Sequence, residues 1–529
     1  MIRIPQIKLQ PEHTREDLAR AVCRELKIKE TDLKSFHIIK RSIDARKKPD
    51  IKYSYTIDAE VEKEHVVLKK CKNSQIVKSA PVSYQIPSCG EEALKDRPVI
   101  VGMGPAGLFC GLLLAKCGYR PLILERGEDV DARSKTVEGF WKGSPLKQSS
   151  NVQFGEGGAG TFSDGKLNTM VKDPKGRGRY VLETFVEAGA DSSILYLNKP
   201  HIGTDVLRDV VKNMRLEIQH LGGEVRFESQ LTDLQVRDGR IESICINDQE
   251  TLHTAVVVLA IGHSARDTFS MLSRKPLAMS PKSFAVGLRI EHPQSMINQS
   301  QYARTDLKTL PAADYKLTKK LENGRGVYSF CMCPGGYVVN ASSENGMTAV
   351  NGMSYQKRDG INANSAIVVT VTPEDYEAVD SLSGVRFQQN LEQKAYALCN
   401  GKVPVQLFED FVKHRSSNGP GEYAPAIKGA YDFGNLRECL PKFLGDSIEQ
   451  GILGFDHMIK GFARKDAILS GIESRTSSPL RITRDDFFES TIAGLYPCGE
   501  GAGYAGGITS AAMDGLKVAE AVIKKFHAF

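Results

Sequence analysis

Residues 99–127 read VIVGMGPAGLFCGLLLAKCGYRPLILERG, and their types and spacing suit one kind of chemistry, the holding of a dinucleotide. The apolar β-type run Val99-Ile100-Val101 meets Gly102-x-Gly104-x-x-Gly107; a helix-type run follows, then a second apolar strand that ends at Glu125. In such a turn Gly102 permits the tight bend, Gly104 lets the backbone approach a pyrophosphate with no Cβ between them, and Gly107 lets the helix lie close on the strand. The helix start at Pro105 and Ala106 offers unpaired N–H groups and partial positive charge to phosphates. Glu125 falls close to the position, about 20 residues on, where a carboxylate accepts hydrogen bonds from an adenosine ribose. Arg126 and Arg133 follow as cationic groups for the same ligand. A plain βα turn with no ligand is the alternative.

Two further glycine clusters bear on that ligand. Residues 154–160 fit Gly-x-Gly-x-x-Gly formally, but polar residues precede them and no apolar helix follows, so they are not a second fingerprint. Gly157, Gly158 and Gly160 instead suit the close approach of backbone N–H groups to a phosphate or a flat ring. Near the C-terminus, Pro497-Cys498-Gly499-Glu500 ends a strand on a carboxylate that can hold a sugar-like hydroxyl. Gly506 and Gly507 then lead into a helix near Ile508, whose start can stabilise negative charge on a ligand. Gly262 closes another apolar run, residues 255–260. These blocks predict that both ends of the chain clasp one long cofactor.

Beyond the cofactor, Lys166 could stabilise an anionic ring or an acidic substrate, Arg289 and Tyr337 could face a substrate from strands, and Arg475 could bind an anionic group. The competing readings are a solvated lysine and domain-joining salt bridges. His263, Arg266 and Asp267 read as structural hydrogen-bonding groups ahead of catalytic ones. No Ser/His/Asp triad and no metal-ligand spacing is visible, so no metal is expected. Cys331-Met332-Cys333 as a strand puts both thiols on one face, and they read as buried thiols rather than a redox centre. There is no Cys-x-x-Cys.

The elements that must position these groups divide a chain of 529 residues into several domains. A hydrophobic content of 41%, a charged content of 25% and a net charge of +6 describe an ordinary protein open to acidic small molecules and argue against wholesale nucleic-acid binding. The first residues lack an apolar signal core, no run is long enough for a membrane span, and eleven irregularly spaced cysteines suit a reducing, cytoplasmic setting. The predicted class is α/β: a Rossmann-like dinucleotide-binding domain (residues 93–278 and 485–529), an inserted α+β substrate domain (279–484) and a small N-terminal α+β module (1–92). In that module we expect strands at 2–9, 36–43 and 51–61, a helix at 14–26 capped by Thr14, and a basic loop Arg46-Lys47-Lys48.

On these landmarks the chain resembles the two-dinucleotide-binding-fold flavoproteins of the glutathione-reductase superfamily, in the branch without a redox disulfide. Gly102/Gly104/Gly107 with Glu125 matches the ADP-binding turn, Gly157-Gly158 the glycine doublet facing the flavin, residues 256–262 the "ATG" strand with Ile261 for the usual Thr, and residues 494–500 the "GD" motif with Glu500 for the usual Asp. The whole chain is similar to the bacterial family described as uncharacterised FAD-dependent dehydrogenases, through GGAGTFSDGKL at 157–167, GHSARD at 262–267, PGGYVV at 334–339 and the small module before the FAD domain. The landmarks together with the large inserted domain lead us to expect hydride transfer between the flavin and a small-molecule substrate, and the lack of a second fingerprint leaves NAD(P)H as at most a transient donor; the resemblance itself implies FAD and the fold. It names no substrate and no oligomeric state. Two other functions stay open: an RNA-modifying flavoprotein using Arg41, Arg46, Lys47, Lys48, Lys52, Tyr53 and Tyr55, and a flavoprotein that docks a protein electron carrier through its N-terminal module.

Overall fold

The computed structural model describes all residues except Lys72, Pro81 and Asp306. Its organising element is a five-stranded parallel sheet in the order Leu495–Pro497, Val257–Leu259, Val99–Val101, Leu122–Leu124, Glu224–Arg226. The strands VIV, LIL and VVL are fully buried, as continuous apolar runs must be when both faces of a parallel sheet are covered. Helix Pro105–Lys116 is buried along almost its whole length, and it packs with helices Thr204–His220 and Ile508–Lys525 in one apolar core. Small residues let these elements close up: a Cβ on Gly107 would stand 1.9 Å from the Gly102 carbonyl oxygen, and one on Gly515 would stand 2.1 Å from that of Ala106. The other face is covered by an antiparallel three-stranded sheet, Leu231–Arg237, Arg240–Ile246 and Glu250–His253.

The register decides where ligands go. Val257 pairs with both Val99 and Leu495, and Leu259 with both Val101 and Pro497, so three strands end level. The turns that follow, at Gly102, Ala260 to Gly262 and Cys498 to Glu500, therefore share one carboxyl edge, where open α/β sheets bind ligands.

A seven-stranded mixed sheet faces that edge, in the order Thr318–Lys320, Gly326–Cys333, Asn362–Val371, Phe284–Pro293, Ile468–Glu473, Val403–Leu407, Tyr431–Phe433. Its centre is the antiparallel pair that runs unbroken from Phe284↔Val371 to Pro293↔Asn362. Helix Lys442–Asp456 lays its apolar face on this sheet.

The N-terminal residues make a four-stranded sheet, Leu33–Asp44, Lys52–Val61, Ile2–Leu9, Val77–Lys78, with helix Arg15–Leu26 upon it. Thr14 caps that helix in a capping box: Asp17 N–H donates to its hydroxyl at 3.2 Å while its own N–H donates to the Asp17 carboxylate at 2.9 Å. The strand expected at 36–43 begins instead at Leu33, because bulges at Leu33/Ser35 and Ile38/Lys40 break the alternation that marks a strand in sequence. The stacking surface of the RNA-binding alternative is absent. Tyr53 and Tyr55 are buried, the Tyr53 hydroxyl donates to Thr309 O at 2.7 Å, and Arg41 lies over the rings of Tyr53 and Tyr196. Among the described residues no helix is long and apolar enough to cross a membrane.

One buried carboxylate joins the two large sheets. Glu392, on helix Ser383–Cys399, accepts from Arg266 Nη2 at 2.8 Å and Nη1 at 2.9 Å, from Arg475 Nη2 at 2.8 Å and Nε at 3.1 Å, and from the Ser474 hydroxyl. Burial alone would raise its pKa, yet the two guanidiniums hold the carboxyl well below the usual range. Arg266 also pairs with Glu344 at 2.6 Å and Arg475 with it at 3.5 Å, so replacing Glu392 by Gln leaves two buried guanidiniums sharing one half-buried carboxylate, and we expect a loss of about 3 kcal/mol in denaturant unfolding. Because the folded value is depressed, the stability that Glu392 contributes is complete above its unfolded pKa of about 4.3 and drains as pH falls toward the folded value. The E392Q variant should lose that part of the slope; an unchanged midpoint and unchanged pH profile would contradict this role.

Candidate functional site

A cavity of about 350 Å³ runs along the level strand ends. One wall is the parallel sheet's turns with the 153–168 loop and the start of helix Ile508–Lys525; the other is the edge of the seven-stranded sheet at Phe330, Cys331 and Glu473. The size is that of a small-molecule or cofactor site.

At one end Glu125 is buried and lines the cavity. Its Oε2 accepts Met103 N–H at 2.9 Å, and its Oε1 accepts Gly127 N–H at 2.9 Å and Gly155 N–H at 3.0 Å. Two carboxylate oxygens carry about four lone pairs, so one remains for a ribose hydroxyl. Arg126 lines the same end, held by Asp267 at 2.6 and 2.9 Å and lying 4.2 Å from the centre of the Phe154 ring.

In the middle, helix Pro105–Lys116 opens on the cavity with Gly104 as its cap and no side-chain oxygen on its first N–H groups. A Cβ on Gly104 would meet only Gly158 Cα, at 3.9 Å. The space in front of Gly104 is therefore free for a ligand, and Pro105, Ala106, Gly158, Gly160 and Gly262 line it. Helix Ile508–Lys525 likewise starts at an uncapped Gly507, with Gly506, Gly507 and Ile508 on the cavity. Two helix starts thus bring positive partial charge to one cavity. Gly102 and Glu500 also line it. Glu500 Oε1 lies 2.9 Å from His263 Nδ1, and the other ring nitrogen of His263 is buried with no partner.

At the far end Lys166 lines the cavity with its ammonium fixed: Nζ donates to Asp164 at 2.6 Å and to the Met332 carbonyl. Burial would raise the Asp164 pKa, but Lys166 and Arg358 hold it far below the usual carboxylate range. Lys166 is raised despite its own burial, chiefly by Asp164, so it stays cationic. Arg475 also reaches the cavity, with its guanidinium hydrogen-bonded to Glu392, Ser343 and, at 3.2 Å, to Ser264.

Several expected ligand contacts lie off the cavity. Arg133 is fully buried and donates to the carbonyls of Asn151, Val152 and Glu156 at 2.7–3.0 Å, so it shapes the glycine loop from behind. Gly107 sits under the strand turn; Gly157 N–H donates to Met103 O at 2.9 Å; Gly499 N–H donates to Asp514 at 2.8 Å. Arg289 stands one layer behind the wall, paired with Glu473 at 2.9 Å and donating to Asn364 at 2.7 Å. Tyr337 packs on Tyr355 and under Lys428, away from the cavity. The reason is shared: a local motif shows that a residue lies on a strand or turn, whereas the layer it faces is decided by the sheet packed against it.

Asn351 and Glu473 on the cavity wall had no role assigned from the sequence, Cys331 read only as a buried thiol, and His263 and Glu500 read as separate groups rather than as a pair. Only the His263 and Glu500 positions, each just past an apolar strand, carried a signal.

The cavity floor yields a paired prediction. Gly104→Val should leave a folded protein with flavin content lowered at least about tenfold, because its side chain occupies the phosphate approach. Gly107→Ala should instead lower thermal stability, because its Cβ meets the Gly102 carbonyl oxygen. Flavin absorbance and melting temperature of the two variants separate these effects; a Gly104→Val protein that retains flavin would overturn the placement.

The family model described as "FAD-dependent protein, C-terminal domain-like" matches residues 283–476. A domain of unknown function (DUF8436) matches residues 1–60. A Clostridium beijerinckii protein described as uncharacterized is 51% identical over 530 residues, covering 99% of this chain and 99% of its own. Among solved structures, the L-proline dehydrogenase from P. horikoshii is 11% identical with a TM-score of 0.35, over 82% of this chain and 93% of that one. The glycerol-3-phosphate dehydrogenase from Bacillus halodurans, complexed with FAD, is 11% identical with a TM-score of 0.35, over 82% of this chain and 65% of that one. The family description and the cavity agree on the cofactor, FAD. The chain belongs to the family of the clostridial protein, and its residues 283–476 match the model of the FAD-dependent C-terminal domain.

Proposed function

We propose that this protein is an FAD-dependent oxidoreductase that passes a hydride between the flavin and a small organic substrate held against the seven-stranded sheet. The observation that carries the reading is the shared cavity: dinucleotide-binding turns form one wall, and Phe330, Cys331, Asn351 and Glu473 form the other. In this reading residues 93–278 and 485–529 bind the cofactor, 279–484 supply the substrate wall, and 1–92 form an attached module.

FAD, when bound, supplies the two-electron chemistry. The chain's own residues do the rest. Glu125 binds the adenosine ribose, and the starts of helices Pro105–Lys116 and Ile508–Lys525 attract the phosphates and any negative charge on the ring. Lys166, held in place by Asp164 and the Met332 carbonyl, is a preorganised cation that favours an anionic ring or an acidic substrate. Glu500 orients His263 through Nδ1, so that Nε2 is the acceptor at which a substrate proton is taken up. Arg475 is saturated by its protein partners, and its place is to position the wall. All eleven cysteines are free thiols, which fits a reducing cytoplasm.

Anaerobic addition of organic donors, NADH and NADPH to the flavin-loaded protein, followed in the visible band, tests the proposal. We expect a small organic donor to bleach the band. His263→Asn should slow that bleaching by about 100-fold or more, with flavin content unchanged. A band bleached only by a protein electron carrier would favour the docking alternative and contradict this reading.

A further inference from the structure

Strand Gly326–Cys333 loses its pairing with Asn362–Val371 between Phe330 and Cys333. At this break Cys331 has a φ of 44°, in the left-handed region that residues with side chains rarely adopt and that clusters at functional sites. Two cations occupy the break. Arg289 Nη1 donates to the Cys331 carbonyl at 3.0 Å, and Lys166 Nζ donates to the next carbonyl, that of Met332. Consecutive carbonyls thus hold Lys166 and Arg289 beside each other on the substrate wall.

Arg289 orients two more side chains. Its Nε donates to Glu473 Oε2 at 2.9 Å and its Nη2 to Asn351 Oδ1 at 3.2 Å. Gly352 makes room for it, since a Cβ there would stand 2.1 Å from Arg289 Nη1. Arg289 is spent on the protein, whereas the groups around it keep bonding capacity toward the cavity that Lys166, Asn351 and Glu473 all line. Glu473 Oε1 has only the Arg289 Nη2 contact at 3.5 Å, beyond the usual hydrogen-bond range. Asn351 Oδ1 also accepts Gly352 N–H at 2.8 Å, and among the described residues its Nδ2 has no partner. Lys166 uses two of its three N–H groups, on Asp164 and Met332. Charge sorts these groups. Lys166 and Arg358 both pair with Asp164, so two cations share one carboxylate and one positive charge is left for a ligand to match. Burial pushes the Glu473 carboxyl up by more than Arg289 draws it down, so a cation placed at Oε1 favours its ionised form.

We propose that the substrate of this cavity is an α-amino acid, its carboxylate bound by Lys166 and Asn351 Nδ2 and its ammonium by Glu473. The inference rests on the FAD-dependent oxidoreductase reading above and names the substrate class for it. The step balances without another oxidant. The Cα–H bond breaks and its two electrons pass to the flavin with the hydride. One N–H proton of the ammonium passes to His263 Nε2, and the nitrogen electron pair so released forms the C=N bond. The products are reduced flavin, protonated His263 and an imino acid, which water hydrolyses to a 2-oxo acid and ammonium.

Anaerobic mixing of the flavin-loaded wild type with the proteinogenic amino acids in both enantiomers, and with lactate and malate, tests the proposal. We expect an amino acid to bleach the flavin band and to yield its 2-oxo acid. The matched amine, such as ethylamine for alanine, should bleach it about tenfold or more slowly, because it leaves Lys166 without its anion. Lys166→Ala should raise the half-saturating concentration of the amino acid about tenfold or more and remove most of its advantage over the amine. Melting temperature reads binding without turnover. The amino acid should raise it, whereas the matched amine and the matched carboxylic acid, each lacking one of the two charges, should raise it less. A wild type whose flavin dithionite reduces, but which no amino acid bleaches or stabilises, overturns the amino acid and leaves the FAD reading intact. Bleaching by lactate or malate alone does the same and assigns Glu473 to a hydroxyl. A protein that binds no FAD overturns both.

Discussion

Strand Val257–Leu259 is hydrogen-bonded on one side to Val99–Val101 and on the other to Leu495–Pro497, both in parallel and in the same register. The cavity depends on that arrangement. It brings a turn from early in the chain and a turn from near its end to one level, so that two uncapped helix starts point at the same space. A slip of one residue on either side would reverse which face each side chain meets and separate the two turns. The close contacts at Gly107 and Gly515 serve the same end, since they let the helices lie near enough to the sheet for their first turns to reach its edge.

Buried charge joins the two walls of the cavity. Glu392 binds Arg266 and Arg475, Asp164 binds Lys166 and Arg358, and Glu473 binds Arg289. Such pairs return little net stability, because desolvation offsets most of their attraction, but breaking one is costly. Their effect here is orientation. They fix the edge of the seven-stranded sheet against the cofactor turns, and they leave cations of defined position around Cys331 and the far end of the cavity.

The parts legible in the sequence were those whose physics is local. The Gly102-to-Glu125 unit, the Thr14 cap and the apolar strands carry their reasons within a few residues. Arg133, Arg289 and Tyr337 were misplaced for one reason: each lies on an element that was recognised, but burial by a distant partner (the 151–156 carbonyls, Glu473 and Tyr355 respectively) decides where it points. The kink at Cys331 left no trace, because Phe330-Cys331-Met332-Cys333 has the composition of a regular strand and the bulge arises from its pairing with Asn362–Val371. The His263–Glu500 contact joins two turns far apart in the chain and exists only once the sheet is assembled.

The most direct test of the account is the identity and amount of flavin released from the purified wild-type protein by denaturation, read by chromatography and visible absorbance. A buried carboxylate with a free lone pair at one end of the cavity and two uncapped helix starts in its middle suit a dinucleotide, so FAD is expected at about one per chain. FMN, or no flavin after incubation with excess FAD, would contradict it.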